Sequence, residues 1–147
     1  MLSKKFLKNA RTKEADFIII GSDQLVEFNG EILGKPGDKE QAIAQLLKLA
    51  GNEHSLITAL TVISVSDSEL RKAQDAVIET MQMYPLSRLQ AERYVAAEKT
   101  WDCAGSYKIE GRGIALFESI TGEDFTSIVG LPILKLVKFL REFGCEF

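Results

Sequence analysis

The chain is poor in the residues that usually announce chemistry. It has one histidine and two cysteines, and the two cysteines do not form a Cys-x-x-Cys pair. A structural zinc site needs four such ligands in close spacing, so none is expected. A catalytic triad built on histidine would have to rest on His54 alone. Cys103 and Cys145 are too few for a disulfide framework and read as free thiols of a reducing cytoplasm. No apolar run is long enough to cross a bilayer, and Met1-Leu2-Ser3-Lys4-Lys5-Phe6 lacks the apolar centre of a secretory leader. A net charge of −3 offers no general basic surface for a nucleic acid polymer or an anionic membrane. No internal repeat or low-complexity stretch is present.

What remains is ordinary for a globular domain. Residues 1–147 carry 46% hydrophobic and 27% charged side chains, enough for one packed core. A basic helix is expected over Ser3 to Ala15. The branched run Phe17-Ile18-Ile19-Ile20 predicts a buried strand. Leu25 to Phe28 continues extended into Asn29-Gly30, a hairpin turn. Asp38 with Gln41 three residues on predicts a capped helix, with Ile43, Leu46, Leu47 and Ala50 inward and Gly51 as its stop. Ser55 to Val65 and Ala76 to Met83 predict antiparallel strands joined by a turn over Ser66 to Leu70. Ser87 and Gln90 open a helix to about Ala97. A glycine-rich, charged loop follows from Trp101 to Gly113, then a strand over Ile114 to Ile120. A last helix begins at Pro132, with Ile133, Leu136, Val137, Leu140 and Phe143 as its core face. The order is mixed α/β in a single domain.

Two blocks put charge among glycines beside a strand, which is how a fold presents a carboxylate or an ammonium to a phosphorylated ligand. In Gly21-Ser22-Asp23-Gln24, Asp23 follows the apolar strand, where open sheets collect ligand sites. It can take a proton from water or hold a divalent cation, or simply form a turn. Lys35, in Gly34-Lys35-Pro36, is a point charge with a glycine neighbour, without the Gly-Lys-Ser/Thr of a Walker loop; spacing alone favours an exposed loop lysine. Glu110, in Lys108-Ile109-Glu110-Gly111-Arg112-Gly113, lacks the context of a dinucleotide fingerprint and reads as a tight turn. Glu123-Asp124 fits either a metal pair or a polar turn. His54 reads as structural or exposed, and Trp101 as a core edge.

Taken in order, Ile20-Gly21-Ser22-Asp23-Gln24, Gly34-Lys35-Pro36, Ala104-Gly105-Ser106-Tyr107-Lys108-Ile109-Glu110-Gly111 and Val129-Gly130-Leu131-Pro132 resemble the Maf family of nucleoside triphosphate pyrophosphatases. The resemblance implies a Maf-like α/β fold, related to the inosine triphosphate pyrophosphatases, with a mixed sheet flanked by helices. It also implies hydrolysis of a nucleoside triphosphate to the monophosphate and pyrophosphate with a divalent cation, magnesium or manganese. Asp23 matches the family's proton acceptor, and is the residue the cation would meet. Lys35 matches a lysine near the phosphates. Gln24 and Glu110 match the branch acting on 7-methyl-GTP, where the pyrimidine branch has threonine and glutamine. A carboxylate at Glu110 suits that base, since N7-methylation places a positive charge on the guanine ring.

The family's opening strand and Ser-x-Ser-Pro-Arg-Arg stretch have no match ahead of the Asp23 strand. Ala59 and Tyr84-Pro85 are smaller departures. The expected fold is therefore this domain without its first strand, truncated at the N-terminus. Each lost arginine contact to phosphate would cost about 1.5–3 kcal/mol. Three expectations follow. The first is an active pyrophosphatase. The second is an impaired remnant that binds nucleotide weakly or serves as a structural or interaction module. The third is a homodimer that supplies the missing phosphate ligands from its partner.

Overall fold

The computed structural model describes residues 17–66 and 69–147. The helix expected over Ser3 to Ala15, and part of the turn over Ser66 to Leu70, lie outside them. Five strands form one sheet: β1 (Phe17–Phe28), β2 (Glu31–Leu33), β3 (Glu53–Val65), β4 (Leu70–Met83) and β5 (Phe117–Thr121). Their spatial order is β2-β1-β3-β4-β5, and every neighbouring pair is antiparallel. Among the described residues three α-helices accompany it: α1 (Lys39–Leu49), α2 (Arg88–Glu98) and α3 (Ile133–Glu142). The mixed α/β class read from the sequence is the one found.

The local signals act as their chemistry predicts. Asn29 and Gly30 both take positive φ, and β1 and β2 close around them with Phe28 opposite Glu31. Ser87 and Gln90 form a reciprocal capping box on α2. Asp38 caps α1 by accepting from the Gln41 backbone N–H, but the Gln41 side chain donates back to the Asp38 carboxylate.

Four expectations need correction. The strand expected over Ile114 to Ile120 begins at Phe117, because Arg112–Leu116 winds into a 3-10 helix before it. The run Phe17 to Ile20 is no buried strand: Ile18 and Ile20 are 38% and 45% exposed. β4 begins at Leu70 rather than Ala76, because its polar first half pairs with β3 residue by residue. On α3 the buried residues are Leu136 and Phe139, while Ile133 is exposed.

The larger core joins Val26, Leu56 and Met81 of the sheet to Ile43, Leu46 and Leu49 of α1 and Val95 of α2. A second cluster packs Leu60 and Val62 of β3 against Leu136 and Phe139 of α3. Side chains alternate between faces along a strand, so Leu56, Leu60 and Val62 share one face. The described helices therefore cover the same side of the sheet. No helix among the described residues is long and apolar enough to cross a membrane.

Candidate functional site

A cleft of about 540 Å³ opens on the helix-covered side, and Gln24, Lys35 and Glu110 all line it. The three lie far apart in sequence, and hydrogen bonds between loops bring them together. Gly37 N–H donates to the Trp101 carbonyl at 2.8 Å, just past Lys35. Gln45 donates to the Gly34 carbonyl at 3.0 Å and accepts from the Ser106 hydroxyl at 2.6 Å. The Lys35 loop is thus tied to the loop that carries Glu110. That second loop is closed on itself, since Gly111 and Gly113 N–H groups both donate to the Lys108 carbonyl. Tyr94 Oη accepts from Lys108 N–H at 3.0 Å and fixes the loop to α2. Glu110 does stand on a tight turn, and the turn is what presents it to the cleft.

Gln24 is a strut as well as a wall. Its Nε2 donates to Thr58 Oγ1 at 3.0 Å and to the Ser127 carbonyl at 2.8 Å. Thr58 Oγ1 donates to the same carbonyl at 3.0 Å. Together they clamp the turn Phe125–Val129, whose Ile128 and Val129 line the cleft beside Gln24. Beneath that turn, the buried Glu79 accepts from Asp124 N–H and Ser127 Oγ, both at 3.1 Å. Asp124 is buried and accepts from Thr126 N–H and, at 2.7 Å, from Leu134 N–H at the start of α3. The Glu123-Asp124 pair is accordingly a polar turn in which Asp124 has structural bonds to keep.

Asp23 stands apart. It is exposed, and alternation along β1 turns its side chain to the face opposite Gln24. It is not among the residues lining the cleft. Its Oδ1 accepts from Gln24 N–H at 2.9 Å. Its neighbours across β3 and β4 are Ala59 and Ala76, so among the described residues small side chains flank it there. Strand β2 pairs only with Val26 to Phe28, and among the described residues the outer edge of β1 upstream of Val26 has no strand partner. Asp23 and the cleft are separated by that edge.

Among the described residues no three His, Cys, Asp or Glu side chains converge into a metal cage. Magnesium does not need one, because it commonly takes one or two carboxylates, substrate phosphates and water. The exposed Asp23, with one oxygen left over from its backbone bond, fits that donor set.

Burial governs the protonation of four side chains in and behind the cleft wall: Cys103, Tyr94, Tyr107 and His54. Cys103 lines it, but burial and a hydrogen bond to Asp102 push its thiol up to about 11, which leaves it protonated and poorly nucleophilic at neutral pH. Burial raises Tyr94 to about 12 and pushes the Tyr107 phenol up further still. His54 is buried, with Nε2 3.1 Å from Tyr107 Oη, and burial lowers it to about 4. It is structural and neutral. Trp101 packs against the larger core from its margin, as a core edge should.

Sequence reasoning missed Glu98 and Asp102, which line the same cleft. Glu98 ends a helix like many surface glutamates, and only the fold brings it to the site.

The family model described as Maf-like protein matches residues 2–143 of the chain. The chain is 48% identical over 135 residues to the 7-methyl-GTP pyrophosphatase of Bdellovibrio bacteriovorus, covering 92% of this chain and 69% of that protein. It is 39% identical to the 7-methyl-GTP pyrophosphatase of Hahella chejuensis, covering 97% and 70%. It is 41% identical to that of Pseudomonas savastanoi pv. phaseolicola, covering 94% and 72%.

Proposed function

The chain belongs to the Maf family, and from that premise we propose that it hydrolyses 7-methyl-GTP to 7-methyl-GMP and pyrophosphate. One observation carries the reading: Gln24, Lys35 and Glu110, remote in sequence, line a single cleft. Glu110 marks its base end, where a carboxylate attracts a ring carrying a positive charge and accepts from guanine's N–H donors. Lys35, exposed on its loop, offsets negative charge on the phosphates.

The triphosphate would leave the cleft past Lys35 and cross the edge of β1 that has no strand partner among the described residues, to reach Asp23. There Asp23 orients a water and accepts its proton as the α–β anhydride opens and pyrophosphate departs. Magnesium or manganese held by Asp23 and the phosphates would offset the charge that builds on the transferred group. Among the described residues the small side chains of Ala59 and Ala76 leave room for both. Two free cysteines fit a cytoplasmic setting.

A second reading has one observation in its favour. Asp23 points away from the cleft, as in a module that binds the nucleotide without cleaving it. Pyrophosphate release from 7-methyl-GTP with magnesium separates the two. The proposed enzyme turns over and an Asp23→Asn variant falls by about a hundredfold or more, the range general-base catalysis contributes. Turnover no higher than that variant's, with nucleotide still bound, would leave only the binding module.

A further inference from the structure

Glu110 is not the only carboxylate that lines the cleft. Glu98, the last residue of α2, lines it beside Glu110, and its side chain is 18% exposed. A Cβ built on Gly111 would lie 2.5 Å from Glu98 Oε2. The Glu98 carboxylate therefore lies directly over the backbone of the residue that follows Glu110, and a larger residue there would have to push it aside.

Its partners are few. Lys108 Nζ is spent on the Glu98 and Lys99 carbonyls at 3.2 and 3.3 Å, where it satisfies the C-terminus of α2. Arg112 Nε stands 3.7 Å from Glu98 Oε1, beyond hydrogen-bond reach, on a side chain 76% exposed. Among the described residues this long ion pair is the partner recorded for the Glu98 carboxylate, which leaves acceptor capacity for a ligand that brings donors and positive charge. The charges along the cleft agree. Glu98, Asp102 and Glu110 outnumber Lys35 and Lys108, which suits a cationic ring better than a triphosphate.

We propose that Glu98 is a specificity-determining residue that acts with Glu110 as a carboxylate pair receiving the cationic, N–H-bearing edge of an N7-alkylated purine. This rests on the 7-methyl-GTP reading above and adds a residue to it. The ligand class is a purinium ring with adjacent ring and exocyclic N–H donors. A neutral purine supplies the donors without the charge and gains less.

Calorimetric binding of 7-methyl-GMP and GMP to the full chain tests this without depending on turnover. The wild type is expected to prefer the methylated ligand. Glu98→Gln, close to isosteric, should lower affinity for 7-methyl-GMP by about tenfold, the loss of one hydrogen bond to a charged group, with GMP affinity within about twofold. Glu98→Asp keeps the charge and withdraws it, so a smaller loss is expected. Circular dichroism confirms that each variant is folded, and Glu98→Asp serves if Glu98→Gln is not. A wild-type preference that survives Glu98→Gln would overturn this inference alone. An equal fall for both ligands would make Glu98 structural and overturn it too. A wild type with no preference would overturn both this inference and the substrate reading.

Discussion

Asp23 and Gln24 are neighbours on one strand, and two-residue alternation sends them to opposite faces. The sequence motif treats them as one unit, whereas the fold makes Gln24 a wall of the cleft and leaves Asp23 across a strand edge. His54 shows the reverse economy of signal. A lone histidine invites a catalytic reading, yet among the described residues its Nδ1 is buried with no hydrogen-bond partner and its Nε2 meets Tyr107. Tyr107 in turn packs edge-on against Phe117 at 4.9 Å. The unfolded chain takes up a proton at His54 near pH 6.5, while the folded chain holds it neutral down to about 4. Between those values the unfolded state binds more protons, so stability is full above pH 6.5 and declines as pH falls toward 4. Urea unfolding at pH 7.5 and pH 5 should differ by on the order of 1–2 kcal/mol from this residue. His54→Gln should flatten that part of the pH dependence, whatever it does to stability itself.

At the scale of elements, the turn Phe125–Val129 decides the shape of the cleft, and the sheet holds it through Gln24, Thr58 and Glu79. Removing the Glu79 carboxylate leaves Asp124 N–H and Ser127 Oγ buried without their acceptor. Glu79→Ala should cost about 2–3 kcal/mol in urea unfolding. Gly122→Ala should act on the same contact, because a Cβ there overlaps the Glu79 carboxylate. It should cost about 1–3 kcal/mol, the range for overpacking. The hairpin at Asn29-Gly30 and the Ser87 capping box were legible in the sequence because a few adjacent residues determine them. The first half of β4 was not. Arg71, Lys72, Gln74 and Asp75 give no apolar signal, and they are strand only because β3 continues beside them. The run Phe17 to Ile20 misled for the opposite reason: branched apolar residues favour a strand but do not say which faces are covered. Glu79 could not be recognised as a buried strut before Asp124 and Ser127 were seen above it.

Across the whole molecule, one sheet carries both apolar clusters, so the described fold should unfold as a unit. Trp101 is the sole tryptophan and packs on the larger cluster. Its fluorescence and far-ultraviolet circular dichroism should therefore give the same urea midpoint, and separate midpoints would show that the clusters unfold independently. The family was legible because four short blocks kept their order. The cleft was legible only in part: Lys35 and Glu110 were named by motif, whereas Glu98 and Asp102 arrive through the packing of α2 and its following loop. The central claim is that this cleft reads a methylated purine through Glu110. Its most direct measurement is kcat/KM for pyrophosphate release from 7-methyl-GTP and from GTP, in the wild type and in Glu110→Gln. The account predicts a wild-type preference for the methylated substrate that falls by about tenfold or more in the variant, as loss of a charge-assisted contact requires. Equal kcat/KM on the two substrates, before and after the substitution, would contradict it.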